Sequence, residues 1–185
     1  EPLDNLEEVL DSLEVFTAAW GYGRSPARIT VSTVGILPAL EIFLQKTRCH
    51  LAVSLHSPFE EERSRFVPID KRYPLREVLK SLRKFDFKQH HRLTFEYIVL
   101  KGVNHSRRHA EELSRVLRGL RCRVNLINFH PLPGSPFAPA PPDALECFKS
   151  NLEKGGVLAT LRKSRGQDIG AACGLLSTRN GKSIQ

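Results

Sequence analysis

Apolar residues along this chain follow two alternating rhythms. Leu3, Leu6, Val9, Leu10 and Leu13 recur at helical spacing and predict a helix ending before Gly21-Tyr22-Gly23. Residues 28–33 (Arg28-Ile29-Thr30-Val31-Ser32-Thr33) are short and β-branched, which predicts a strand. A helix over 38–46 opens after Gly35, and a second apolar strand over 49–54 runs into Leu55-His56-Ser57-Pro58. Leu75, Val78, Leu79 and Leu82 mark a helix after Pro74. A third strand over 92–100 meets the turn Lys101-Gly102-Val103-Asn104, and Ala110, Leu113, Val116, Leu117 and Leu120 form the next helix face. A fourth strand over 121–129 leads into a proline-rich stretch over 131–142. Leu145, Phe148 and Leu152 give a last helix, and residues 157–161 a final short strand.

Strands alternating with helices imply right-handed crossovers and a parallel α/β sheet, and no internal repeat or low-complexity tract interrupts them. In such architectures function gathers at the carboxyl ends of the strands. The polar groups obey that rule: Ser32-Thr33 closes one strand, Ser54-Leu55-His56 the next, and Asn128-Phe129-His130-Pro131 a later one. Each has a plain alternative, since Ser and Thr often cap a following helix and His56 could be a satisfied turn residue. If the sheet curls into a barrel, the three sets share one rim.

Charge adds a partner class. The 185 residues suit one domain or a large part of one, and 28 Lys and Arg against 20 acids give a net charge of +8. That excess favours an anionic partner, nucleic acid being the commonest, although a generic basic protein would look the same. No apolar run approaches the roughly 20 residues that span a bilayer, so no membrane partner is expected. Cys49, Cys122, Cys147 and Cys173 form no CxxC pair and no zinc-spaced cluster, which predicts a reducing compartment. Cys49, Cys122 and Cys147 read as packing residues in or near strands and helices. The chain lacks methionine and opens on Glu1-Pro2-Leu3, so it is expected to be a piece of a longer protein.

The tail Arg162-Lys163-Ser164-Arg165-Gly166-Gln167-Asp168-Ile169-Gly170-Ala171-Ala172-Cys173-Gly174 carries its own chemistry. Small neighbours leave the Cys173 sulfur reachable, and nearby basic residues favour thiolate, the nucleophilic form. Composition leaves open the alternative of a free cysteine filling a small gap.

Six motifs in order resemble one family: Glu1-Pro2-Leu3, Ser32-Thr33-Val34-Gly35, Ser54-Leu55-His56-Ser57-Pro58, Phe66-Val67-Pro68-Ile69, Gly102-Val103-Asn104, and Arg165-Gly166 through Ala171-Ala172-Cys173-Gly174. Together they are similar to the RlmN/Cfr family of radical S-adenosylmethionine (SAM) enzymes, which methylate an adenine carbon in RNA. The resemblance runs from Glu1 to about Leu176. It implies a partial (β/α)6 radical-SAM (TIM-like) barrel, its C-terminal portion with parallel strands, over residues 1–161. Residues 162–185 are then a basic tail loop carrying a methyl-carrier cysteine.

By the same resemblance Glu1 would bind the amino group of SAM, Ser32 would contact SAM, and Ser54, Leu55 and His56 would form a three-residue cofactor contact. His130 stands where relatives usually carry Asn, and its imidazole could likewise donate or accept a hydrogen bond with the cofactor. Cys173 would be methylated by one SAM, and a 5′-deoxyadenosyl radical from a second would activate that methyl group for addition to adenine. Arg162, Lys163 and Arg165 would hold RNA phosphate. The implied cofactors are SAM and a [4Fe–4S] cluster, yet the CxxxCxxC run that binds such a cluster is absent from this chain. The piece alone is therefore expected to be inactive, and a barrel cut partway leaves an unpaired strand edge. The implied reaction places methyl on adenine C2 of 23S ribosomal RNA, and in this branch of transfer RNA as well. An adenine-C8 methyltransferase of the Cfr type and a cluster-less basic RNA-binding relative are the alternatives. The implied setting is a monomer served by an electron donor, in cytoplasm, chloroplast or mitochondrial matrix.

Overall fold

The computed structural model describes residues 1–87, 91–130 and 135–162. A 3-10 turn (Pro2–Asn5) leads into helix α1 (Leu6–Thr17), and then strand β1 (Thr30–Thr33), α2 (Leu37–Lys46), β2 (His50–Ser54) and α3 (Glu60–Phe66) follow. After a second 3-10 turn (Pro68–Lys71) come α4 (Leu75–Leu82), β3 (Leu93–Val99), α5 (Arg107–Leu117), β4 (Cys122–Asn128), α6 (Pro142–Lys154) and β5 (Leu158–Arg162). Local chemistry sets several boundaries. Ser106 caps α5 by accepting the His109 N–H, and Pro142 presets the first turn of α6.

The five strands form one parallel sheet in the order β1-β2-β3-β4-β5. Each strand lies beside its sequence neighbour, so there is no reversal of order of the doubly wound kind. Right-handed crossovers in one direction place the helices on a single face, which is how a (β/α) barrel grows. Among the described residues β1 and β5 are edges and the sheet does not close.

Alternation along the strands separates two faces. Val31, Leu51, Val53, Leu93, Phe95, Tyr97, Val99, Val124, Leu126 and Ala159 are buried with Leu40, Phe43, Leu79, Leu113, Phe148 and Leu152 of the helices. Each large apolar side chain buried there contributes roughly 2 kcal/mol, and this core holds the sheet to its helices. On the opposite face the register sets Ser54, Glu96, Asn125 and Thr160 in one row across β2 to β5. One step nearer the carboxyl ends lie Ile98, Ile127 and Arg162.

Three differences from the sequence expectations have simple causes. Helix α3 was not expected because Glu60-Glu61-Glu62-Arg63-Ser64-Arg65-Phe66 has no apolar repeat; the residue it buries is Arg63. Three acids in its first turn and two arginines in its last suit the helix dipole instead. Arg162, expected as the first residue of the tail, is the last of β5 and pairs with Ile127. Cys147, expected to pack, is exposed on α6, whereas Cys49 is buried and Cys122 half-buried. Burial raises the Cys49 thiol pKa and pushes that of Cys122 up to about 12, so both stay protonated and inert.

Candidate functional site

Three strand ends meet at the carboxyl rim of the sheet, and buried polar side chains fix each one. Glu1 lies against the end of β1. Its carboxylate accepts hydrogen bonds from Thr33 Oγ1 at 2.7 Å, Val34 N at 2.6 Å and Leu3 N at 3.0 Å. A carboxylate offers about four acceptor positions, so one remains for an outside donor such as an ammonium group. Gly35, at φ +103°, makes the turn that presents Val34, and a Cβ there would press on Val78 at 3.1 Å.

Arg63 fastens the ends of β1 and β2 together. Its guanidinium is fully buried, is ion-paired with Asp70, and donates to Val34 O at 2.8 Å and Ser54 O at 2.9 Å. Asp70 also accepts the Leu75 N–H at 2.9 Å, which ties the clip to the start of α4. Burial lowers the Arg63 pKa and Asp70 opposes that shift, so the pair holds one charge against the other.

His56 is the one non-glycine residue with positive φ among the described residues, at φ 59°. The left-handed conformation costs a β-carbon residue roughly 1 kcal/mol and needs outside support. Asn104 supplies it. Fully buried, it donates from Nδ2 to His56 O at 2.7 Å and Ile98 O at 2.8 Å, and accepts the Leu100 N–H at 2.8 Å. Its own carbonyl accepts the Tyr97 hydroxyl at 2.6 Å. The imidazole is fixed as well: Nδ1 accepts the Ile98 N–H at 3.1 Å, so Nε2 carries the proton of the neutral ring. Burial, with the nearby Arg63 cation, pushes the His56 pKa down to about 4. His56 is therefore a neutral donor at physiological pH.

The row on the open face forms a directed relay. Thr160 donates to Asn125 Oδ1 at 2.6 Å, and Asn125 Nδ2 donates to Glu96 Oε1 at 3.0 Å. Glu96 Oε2 is buried and has no hydrogen-bond partner among the described residues, with Arg162 Nη1 4.0 Å away.

The site residues expected from sequence are therefore placed unevenly. Glu1, Ser32, Ser54 and His56 gather at the rim, and the Ser32 and Ser54 hydroxyls make no hydrogen bond among the described residues. The Leu55 side chain is in the core; its N–H bonds Glu96 O and its carbonyl takes the Ser57 N–H. His130 follows β4 at the same end. Asn128, expected there as a rim group, is committed to the proline-rich loop through Ala140 N at 2.9 Å and Ala140 O at 3.0 Å. Phe66, Phe129 and Phe137 line that loop edge to face. Lys163, Arg165 and Cys173 lie outside the described residues. Nothing in the apolar pattern points to Arg63, Asn104 or Glu96; the signal for Glu96 is the inward alternation Thr94, Glu96, Ile98.

A separate groove of about 810 Å³ on the helix side, lined by Phe59, Arg76, Arg83, Arg108 and Arg115 among others, is a weaker candidate. Its charges are answered locally, Arg115 by Glu112 at 2.6 Å and Arg76 by Glu60 at 3.6 Å. Among the described residues no three side chains could hold a metal ion, and no helix is long and apolar enough to cross a membrane.

No family model matches the chain. Over all 185 residues it is 50% identical to a protein of Porphyromonas gingivalis described as a probable dual-specificity RNA methyltransferase RlmN, of which it covers 54%. It is 50% identical over 178 residues to the Bacteroides fragilis protein of that name, covering 96% of this chain and 52% of that one. With the dual-specificity RNA methyltransferase RlmN of Dichelobacter nodosus it shares 42% identity over 97% of this chain and 50% of that protein. Among solved structures, a radical SAM methyltransferase from Sphaerobacter thermophilus superposes with a TM-score of 0.90 at 40% identity, over 95% of this chain and 52% of that one. A domain of a pyruvate-formate lyase-activating enzyme from Bacteroides vulgatus gives a TM-score of 0.67 over 88% of this chain and 94% of that domain; at 17% identity it shows the fold alone. The chain spans about half the length of the curated relatives it matches.

Proposed function

We propose, from the chain's homology to the carboxyl-terminal part of the RlmN methyltransferases, that the full protein is a radical SAM enzyme methylating adenine C2 in ribosomal RNA and transfer RNA. The observation that carries this reading is 50% identity to such a protein over every residue of the chain. The rim supports it chemically. Glu1 keeps one acceptor position, Ser32 and Ser54 carry hydroxyls uncommitted among the described residues, and His56 offers one fixed N–H donor. That set suits a ligand carrying an ammonium group, hydroxyls and ring nitrogens, as SAM does.

Bound SAM would supply the methyl group and, with a [4Fe–4S] cluster whose ligands lie outside this chain, the radical. This chain's residues bind and orient. Glu1 holds the amino group, Ser32 and Ser54 the polar edge, and the Arg63 clip and Asn104 keep these groups fixed relative to one another. Cys173 is the nucleophile that carries methyl, and Arg162, Lys163 and Arg165 hold RNA phosphate. The protein acts as a monomer with an electron donor, in the cytoplasm or an organelle matrix.

Nucleoside mass spectrometry tests the reading. RNA treated anaerobically with the full-length protein, SAM and a reductant should contain 2-methyladenosine, and Cys173→Ala should abolish it. Undiminished 2-methyladenosine in that variant removes Cys173 from the mechanism. 8-Methyladenosine would instead assign the C8 reaction, and RNA binding without methylation the cluster-less reading.

A further inference from the structure

The relay across the open face ends on a carboxylate oxygen that receives no hydrogen bond among the described residues, with the Arg162 guanidinium as its distant ion-pair neighbour. Thr160 donates to Asn125, which fixes the Asn125 amide with its nitrogen toward Glu96. Glu96 Oε1 takes that donor, and Oε2 is buried without a hydrogen bond among the described residues. A buried carboxylate oxygen left unpaired is costly, and such an orphan marks a missing group. The missing group must be a donor. Arg162 Nη1 stands at 4.0 Å, beyond hydrogen-bonding range, on a side chain that is 64% exposed and free to turn toward solvent.

The surroundings narrow the donor's identity. Directly above Glu96 on the same face are Ile98 and its register partner Ile127, both partly exposed. They make a β-branched shelf one residue pair wide, and the His56 ring is tied to the same strand through the Ile98 N–H. A flat apolar ring bearing an amino group fits shelf and acceptor together, and adenine has both. We infer that Glu96 Oε2 accepts the exocyclic amine of an adenine lying over Ile98 and Ile127, with Arg162 turning aside to admit it. This rests on the function proposed above, in which two adenines approach the site, one from the cofactor and one from RNA. The recognition chemistry is the same for both.

The fixed relay makes the effect of a substitution specific. In Glu96→Gln the amide oxygen must face the Asn125 donor, so the amide NH2 replaces Oε2 and meets an adenine amine donor to donor. The test uses the full-length protein and binding by calorimetry. The cofactor arm compares S-adenosylhomocysteine with its purine analogue lacking the 6-amino group. The RNA arm compares an oligouridine carrying one adenosine with the same strand carrying purine riboside.

In one arm at least, the wild type should prefer the amine-bearing probe by about tenfold, and Glu96→Gln should erase that preference with little loss for the analogue. The arm that responds names the source of the adenine. Glu96→Ala should erase the preference too, which covers a failure of the Gln variant to fold. Wild-type binding of both members of each pair with equal affinity would overturn the inference and leave the proposed function standing. So would equal losses for both probes in Glu96→Gln and in Arg162→Ala, since Glu96 would then serve Arg162 alone. A wild type that binds neither S-adenosylhomocysteine nor RNA would overturn the function itself.

Discussion

At the scale of single residues, the rim depends on buried polar groups that hold backbone rather than ligand. Asn104 is the clearest example, because its side chain satisfies three backbone groups and keeps His56 in a left-handed turn. Asn104→Ala strands those groups, and we expect a loss of about 3 kcal/mol in urea unfolding of the full-length protein. Replacement without measurable cost would show that the turn holds itself. His56 adds a pH dependence. Its folded pKa, about 4, lies below its ordinary 6.5, so the unfolded chain binds the proton more readily. The contribution is complete above pH 6.5 and is lost as pH falls toward 4, amounting to about 3 kcal/mol at most. Unfolding curves across that window should show the decline, and His56→Gln should flatten it. Ser32, Ser54 and His56 were legible in the sequence because each sits at or just past the carboxyl end of a strand. Asn104 stood out only within the Gly102-Val103-Asn104 motif, with no role attached, and Arg63 not at all, because a polar residue that ends up buried looks in sequence like one that stays in water.

At the scale of elements, strands and amphipathic helices followed from their periodicity, and α3 did not. Its buried face is a charge, which no hydrophobic pattern records. That charge makes α3 the brace between β1 and β2. Arg63→Met leaves Asp70 buried and uncompensated, so a loss of roughly 3–5 kcal/mol is expected. Asp70→Asn keeps an acceptor for the Leu75 N–H, and the double variant should recover a good part of that loss in the same urea experiment. Strictly additive losses would mean the two residues act separately. The row from Ser54 to Thr160 belongs to this scale too. Period-2 alternation was visible in β3, but the pairing that aligns Glu96 with Asn125 and Thr160 depends on register, which sequence alone does not fix.

At the scale of the whole molecule, parallel strands in sequential order place every βα turn on one side, and the polar residues of three turns come together there. In the sequence, the excess of basic residues points to an anionic partner and the motif order to a methyltransferase family, and relatives at 42–50% identity are described as RNA methyltransferases. The proposed function requires these strand ends to form one cofactor site. It is tested most directly by the affinity of the anaerobic, reductant-free full-length protein for SAM, compared with that of Ser32→Ala combined with Ser54→Ala. Neither hydroxyl supports the fold among the described residues, so the melting temperature should hold while affinity falls by roughly tenfold or more. Unchanged affinity in a folded double variant would contradict the account and move the cofactor away from this rim.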